Sequence, residues 1–185
     1  MVYEEGRGDW EIREEASVSA DEWLVSPGEG EVVLQGGLGV VGKVSGNTTG
    51  GSYSVVEHPL EPGVLGAPPH THADTDEVSF VIEGEIGVMI GDEEFTAGPG
   101  AYVVKPRGLP HTFWNSGTER ARILEIISPA GFEKYFEELA EVLASTPPGE
   151  PPDFGKIAEL AGRHGMTFHM ERLPEIVERH GVELR

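Results

Sequence analysis

From Trp23 to Ser128 the apolar positions fall in short stretches separated by Gly, Pro, Asn and Asp. They include Glu31-Val32-Val33-Leu34, Val40-Val41-Gly42-Lys43-Val44, Ser52-Tyr53-Ser54-Val55-Val56 and Val78-Ser79-Phe80-Val81-Ile82. Later come Ile86-Gly87-Val88-Met89-Ile90, Ala101-Tyr102-Val103-Val104 and Arg122-Ile123-Leu124-Glu125-Ile126-Ile127. Each is rich in β-branched and aromatic residues and bounded by turn formers, which predicts antiparallel strands. Gly91-Asp92 suits a tight hairpin turn. Stretches such as Phe80-Val81-Ile82 are apolar at both alternating positions, so they predict strands covered on both faces, as in a sandwich or barrel.

At Pro129-Ala130-Gly131 the period changes. Phe132, Tyr135, Phe136, Leu139, Val142 and Leu143 make one stripe of a helix, with Glu133, Glu137, Glu138 and Glu141 on its other side. The run Thr146-Pro147-Pro148-Gly149-Glu150-Pro151-Pro152 stops that helix and forms a stiff linker. Two short helices follow, around Phe154 to His164 and around Pro174 to His180, each ending Arg-His-Gly. Glycine suits the left-handed cap and the basic pair suits the negative end of the helix dipole, so His164 and His180 read as helix-end residues. The chain therefore divides into an acidic arm (1–22), a β-rich body (23–130) and a helical extension (131–185).

Composition narrows the chemistry. The chain has 185 residues, 25% charged and 38% hydrophobic, with 26 Gly and 14 Pro, which fits one globular domain with many turns. Its 33 acids against 13 bases give a net charge of −20, which repels nucleic-acid backbones and anionic lipids alike. No apolar run is long enough to span a membrane, and the start lacks the basic and apolar segments of a secretory signal, which favours the cytoplasm. There is no cysteine, so a metal site would have to use imidazole and carboxylate.

Those groups concentrate in Pro69-His70-Thr71-His72-Ala73-Asp74-Thr75-Asp76-Glu77. His70 and His72 alternate on an extended segment, so both can point to one side. Further along, Gly100-Ala101-Tyr102-Val103-Val104-Lys105-Pro106-Arg107-Gly108-Leu109-Pro110-His111-Thr112-Phe113-Trp114-Asn115 reads as a strand, a Pro-x-Gly turn and a histidine opening the next strand. In so acidic a chain the first stretch alone would pass for a solvated loop.

Together the two segments resemble the paired motifs of the cupin superfamily. His70, His72, Glu77 and Gly84 fit H-x-H-x(3,4)-E-x6-G, and Gly100, Pro106, Gly108, His111 and Asn115 fit G-x5-P-x-G-x2-H-x3-N. The first motif's leading glycine would fall at Val64, but Gly63 stands one place early. The resemblance implies a mainly β fold: a single cupin barrel (double-stranded β-helix, jelly roll) over 23–130, with the helices as an extension. It also implies one divalent transition metal held by His70, His72, Glu77 and His111. Three imidazoles and a carboxylate leave two open positions on a six-coordinate ion, which suits nickel, manganese or iron, with zinc, cobalt or copper as alternatives. Asp74, Asp76 and Glu83 lie off the motif spacing and are expected to face solvent, while His58 and His169 match no motif position.

With Glu77 inward, alternation turns Ser79 and Val81 inward, and the same count from His111 turns Phe113 and Asn115 inward. Tyr102 or Val103 adds to the pocket from the preceding strand, and parity does not choose between them. Such a pocket is mostly apolar and suits a small organic substrate. Within the superfamily, His72-Ala73-Asp74-Thr75-Asp76-Glu77-Val78 and the helix opening Pro129-Ala130-Gly131-Phe132-Glu133-Lys134-Tyr135-Phe136-Glu137 resemble single-domain bacterial quercetin 2,3-dioxygenase-type proteins. That resemblance implies oxidative ring cleavage of a flavonol-like or other enolised substrate, with Glu77 as both ligand and catalytic base. Two other readings stand beside it: a non-catalytic sensor cupin, and an isomerase or decarboxylase acting on a small polar acid. The last would need cationic side chains in the pocket, and only Lys105 and Arg107 lie near the motif. A homodimer, formed through a sheet face or the N-terminal arm, is also expected.

Overall fold

The computed structural model describes residues 23–147 and 149–185, so the acidic arm lies outside the described residues. The first strands are β1 (Glu31–Leu34), β2 (Val40–Val44), β3 (Ser54–Leu60), β4 (Val64–Leu65), β5 (His70–His72) and β6 (Asp76–Glu83). They are followed by β7 (Ile86–Ile90), β8 (Glu93–Ala97), β9 (Tyr102–Lys105), β10 (His111–Asn115) and β11 (Ala121–Ser128). Helices α1 (Glu133–Ala144) and α2 (Phe154–Arg163), a short strand β12 (Met166–Phe168) and helix α3 (Leu173–His180) complete the chain.

The strands form two antiparallel sheets, ordered β1-β2-β3-β11-β6-β9 and β12-β5-β10-β7-β8, with β4 beside β10. From β8 onward the chain crosses between sheets, β9 to the first, β10 to the second and β11 back again. This winding is the double-stranded helix of a jelly roll. Burial alternates along β3, β6 and β11, as the period-2 sequence pattern requires. Inward residues of the two sheets meet in one core, where Leu60, Val81, Val103 and Ile123 face Ile86, Val88 and Phe113.

The three helices have separate tasks. A second cluster joins Phe132 and Tyr135 at the start of α1, and Leu160 and Ala161 of α2, to Val40, Val56 and Ile127 of the barrel. In a third, Ile176 of α3 and Val182 cover Leu65, Met89 and Trp114 on the outer face of the second sheet. That explains why β10 is buried on both faces. Gly87 pairs with Trp114, and a Cβ at Gly87 would lie 2.2 Å from the indole, so the close approach requires glycine. The expected two-sided cover therefore holds for β7 and β10. It fails for Phe80 and Ile82, which lie half-buried on the outer face of the first sheet where no described element packs.

The extension also contributes a strand. Met166, Thr167 and Phe168 pair with His72, Thr71 and His70, so β12 flanks β5 directly. Asp153 caps α2 by accepting from the amides of Gly155 and Lys156. His164 closes α2, and Gly181 closes α3 in the left-handed conformation. As expected of helix-end residues, His164 bonds Glu138, and His180 bonds Glu94 and stacks on Trp114.

A candidate metal centre at the barrel mouth

Strand β5 is three residues long and turns both histidines inward, with Thr71 outward against His169. His70 stands directly opposite His111 of β10. Glu77 enters from the first sheet, facing inward on β6. The turn between β9 and β10 is tied to the first motif, because the Gly108 amide donates to the His72 carbonyl at 2.8 Å. Gly108 holds φ +79°, which a side chain would resist. One ligand atom from each of His70, His72, Glu77 and His111 comes within 4.8 Å of the others, and all four residues are buried.

Hydrogen bonding on the far side of two rings orients them. His70 Nδ1 lies 2.8 Å from the Pro68 carbonyl and His111 Nδ1 lies 3.0 Å from the Leu109 carbonyl. A carbonyl only accepts, so each Nδ1 carries the proton and each Nε2 is left as a lone pair. His111 Nε2 and both ring nitrogens of His72 are sealed from solvent with no hydrogen-bond partner. Buried imidazole lone pairs without a partner, beside a carboxylate, are what a cation would satisfy, so the four residues fit a divalent metal.

Charge inside the barrel does not stop at Glu77. Lys105, 2% exposed, places Nζ 2.9 Å from Glu77 Oε2 and 2.7 Å from Glu125 Oε2. Ser79 Oγ donates to Glu125 at 3.0 Å, and Lys105 Nζ lies 5.2 Å from the centre of the Phe113 ring. Strand register aligns these groups, since Glu77 is opposite Lys105 and Ser79 opposite Glu125. Burial alone would push Glu77 up, but the Lys105 ammonium and the nearby histidines hold it well below the usual carboxylate range. Glu125 is pushed up to about 7 by burial and by the Glu77 charge, against the pull of Lys105. Burial lowers His70 and His111, keeping both imidazoles neutral and able to ligate.

Beside these groups opens a cavity of about 680 Å³. His70, Glu77, Lys105, Glu125 and His58 lie among its walls, which are otherwise mostly apolar. Helices α1 and α2 supply much of the aromatic wall through Phe132, Tyr135, Phe136 and Phe154. Phe113 lines the cavity. Ser79 lies behind it as a hydrogen-bond donor to Glu125, and Val81 sits in the barrel core. Tyr102 is 68% exposed and packs on Phe80 outside the barrel, so Val103 takes the inward place. Asn115 faces inward but braces a turn, donating to the Leu60 and Glu119 carbonyls and accepting from the Gly117 amide.

Arg107 lies outside, paired with Asp76. Lys105 was the cation to notice. Alternation from Val103 turns it inward, and Glu125 stands between buried Ile123 and Ile127 on the otherwise apolar inner face of β11.

Residues 57–127 match the family described as Cupin domain. That segment, which carries all four candidate ligands, is thus similar to a cupin domain. The chain is 31% identical over 93 residues to quercetin 2,3-dioxygenase of Bacillus subtilis, covering 49% of the chain and 27% of that enzyme. It thus spans about a quarter of the length of the curated relative. Among solved structures it is similar to a sugar phosphate isomerase of the cupin superfamily from Silicibacter pomeroyi, at 26% identity and TM-score 0.45, covering 50% of this chain and 59% of that one. It is also similar to a predicted oxalate decarboxylase from Thermotoga maritima, at 18% identity and TM-score 0.49, covering 51% and 83%.

Proposed function

We propose that this chain is a metal-dependent, non-haem dioxygenase of the quercetin 2,3-dioxygenase type, acting on a flavonol-like or other enolised aromatic. The observation that carries the reading is the meeting of a site of three histidines and one glutamate with an aromatic-walled cavity of about 680 Å³. The similarity to a named quercetin 2,3-dioxygenase supports it. His70, His72, Glu77 and His111 would hold one divalent ion, nickel, manganese or iron, whose contribution is Lewis acidity and reactivity toward dioxygen.

The chain's own residues then have separable tasks. Glu77 accepts the proton of the substrate's enolic hydroxyl. Lys105 holds one Glu77 oxygen and weakens it as a base, so the hydroxyl must itself be acidic for the transfer to proceed. Phe113, Phe132 and Phe136 flank the ring system and exclude water. A small polar acid fits less well, because Lys105 is already shared by two carboxylates and Arg185 at the rim is paired with Glu183.

Elemental analysis of the purified protein, followed by oxygen-electrode screening against flavonols and simpler enols, tests this reading. Absence of bound metal after refolding with nickel, manganese or iron rules it out. Bound metal without oxygen uptake favours a sensor cupin. We further propose a cytoplasmic homodimer that pairs through the outer face of the first sheet. There Val78, Phe80, Ile82, Leu124 and Ile126 are half-buried beside exposed Tyr102 and Val104. Light scattering should give twice the chain mass, and Tyr102→Asp should return it to one.

A further inference from the structure

His58 is not among the four candidate ligands, yet it stands in the wall of the same cavity. It lies on β3, where alternation turns Val56, His58 and Leu60 into the barrel, and it is only 3% exposed. Its Nδ1 sits 3.0 Å from the Gly39 carbonyl oxygen. That oxygen can only accept, so Nδ1 carries the hydrogen and Nε2 is left as an in-plane lone pair. No group among the described residues hydrogen-bonds Nε2. Phe136 meets the ring edge-on at 5.4 Å between centroids, and Phe113 is tilted at 6.2 Å.

His58 Nε2 is not among the atoms sealed from solvent, so its lone pair opens onto the cavity, where a ligand that displaces water without replacing its hydrogen bond loses affinity. Here one nitrogen is pinned, which fixes the ring, and the other is left for something in the cavity. The rest of the polar end consists of the candidate ligands and the Lys105–Glu125 pair, on β5, β6, β9, β10 and β11. His58 is a separate polar point, two strands from Glu77 in the first sheet.

We infer that His58 Nε2 is a specificity-determining acceptor that receives a hydrogen bond from a second hydroxyl of a planar aromatic substrate, away from the enolic group at Glu77. This rests on the reading that an enolised aromatic occupies the cavity, and it adds which members of that class are selected. Apolar walls discriminate weakly between a hydroxyl and its absence, whereas a buried acceptor left unpaired discriminates strongly. A neutral lone pair accepts from O–H and repels ether, carbonyl and carboxylate oxygens. The substrate class is therefore a polyhydroxylated planar aromatic, clamped between Phe113 and Phe136.

Binding measured without turnover tests this separately from catalysis. The full-length protein is titrated anaerobically with quercetin and with each of its mono-O-methyl ethers other than that of the enolic hydroxyl, followed by calorimetry. One ether should bind about tenfold more weakly than quercetin. In His58→Phe that difference should vanish, and in His58→Gln, which retains an acceptor and a donor for Gly39, it should largely persist. Equal binding of all probes by the wild-type protein overturns the inference, as does binding of none. So does a difference that survives in His58→Phe. Failure of the dioxygenase reading shows separately, as absence of oxygen uptake while the selective binding remains.

Discussion

Replacing Lys105 with Met removes the cation shared by Glu77 and Glu125 and leaves the two carboxylates facing each other, both almost fully buried. Truncating one partner of a buried charge network strands the other, at about 3–5 kcal/mol. For a domain of this size each kcal/mol corresponds to about 2–4 °C, so the metal-free variant should melt about 6–20 °C below the wild-type protein. Removing Glu125 as well, in Lys105→Met/Glu125→Met, takes away the second stranded carboxylate and replaces the pair with apolar volume. It should recover at least half of the loss. Urea unfolding of the metal-stripped proteins by circular dichroism reads both values. Adding nickel or manganese should stabilise Lys105→Met more than the wild-type protein, because Glu77 then has no other cation. A single-variant loss below about 1 kcal/mol, or a double variant as unstable as the sum of its parts, would refute a coupled network.

Three other outcomes follow from the same geometry. Glu77→Gln should weaken metal retention in dialysis about 100-fold or more, since even loss of a group behind a ligand costs about 10–100-fold, whereas Asp76→Asn on the outer surface should leave it unchanged. His58 is lowered to about 4, chiefly by burial. The unfolded chain therefore takes up a proton first as pH falls: the stability is complete above about 6.5 and is lost between there and about 4, by about 3 kcal/mol. Urea unfolding at pH 7 and pH 4.5 should show that slope in the wild-type protein and a shallower one in His58→Gln, and equal slopes would contradict it. Gly87→Ala sets a Cβ against Trp114 and should cost about 1–3 kcal/mol with α3 loosened, seen as faster amide exchange over Leu173–His180.

Local pattern was enough for most of the strands, because alternation and turn residues are properties of neighbours in the chain; it did not mark the two-residue β4 or the polar β8, which are strands through their pairing with β10 and β7. It was also enough for α1 and for the caps of the later helices, for the same reason. β12 was not legible: three residues carry no period, and they are a strand only because β5 offers an unpaired edge. Nor could parity settle Tyr102 against Val103 without knowing which face of β9 met the core.

The resemblance to the paired cupin motifs brought His70, His72, Glu77 and His111 forward, since motif positions are counted along the chain and the turn at Gly108 fixes their approach. What the tertiary structure decided is everything those four residues face. Lys105 and Glu125 stand 20 residues apart in the chain. His58 and Phe136 are more distant still, one on β3 and the other on α1. Strand register joins the first pair and helix packing the second. Burial then gives these groups their altered charges. A linear pattern records which residue types are present and how they alternate, but desolvation and pairing depend on which elements close over them.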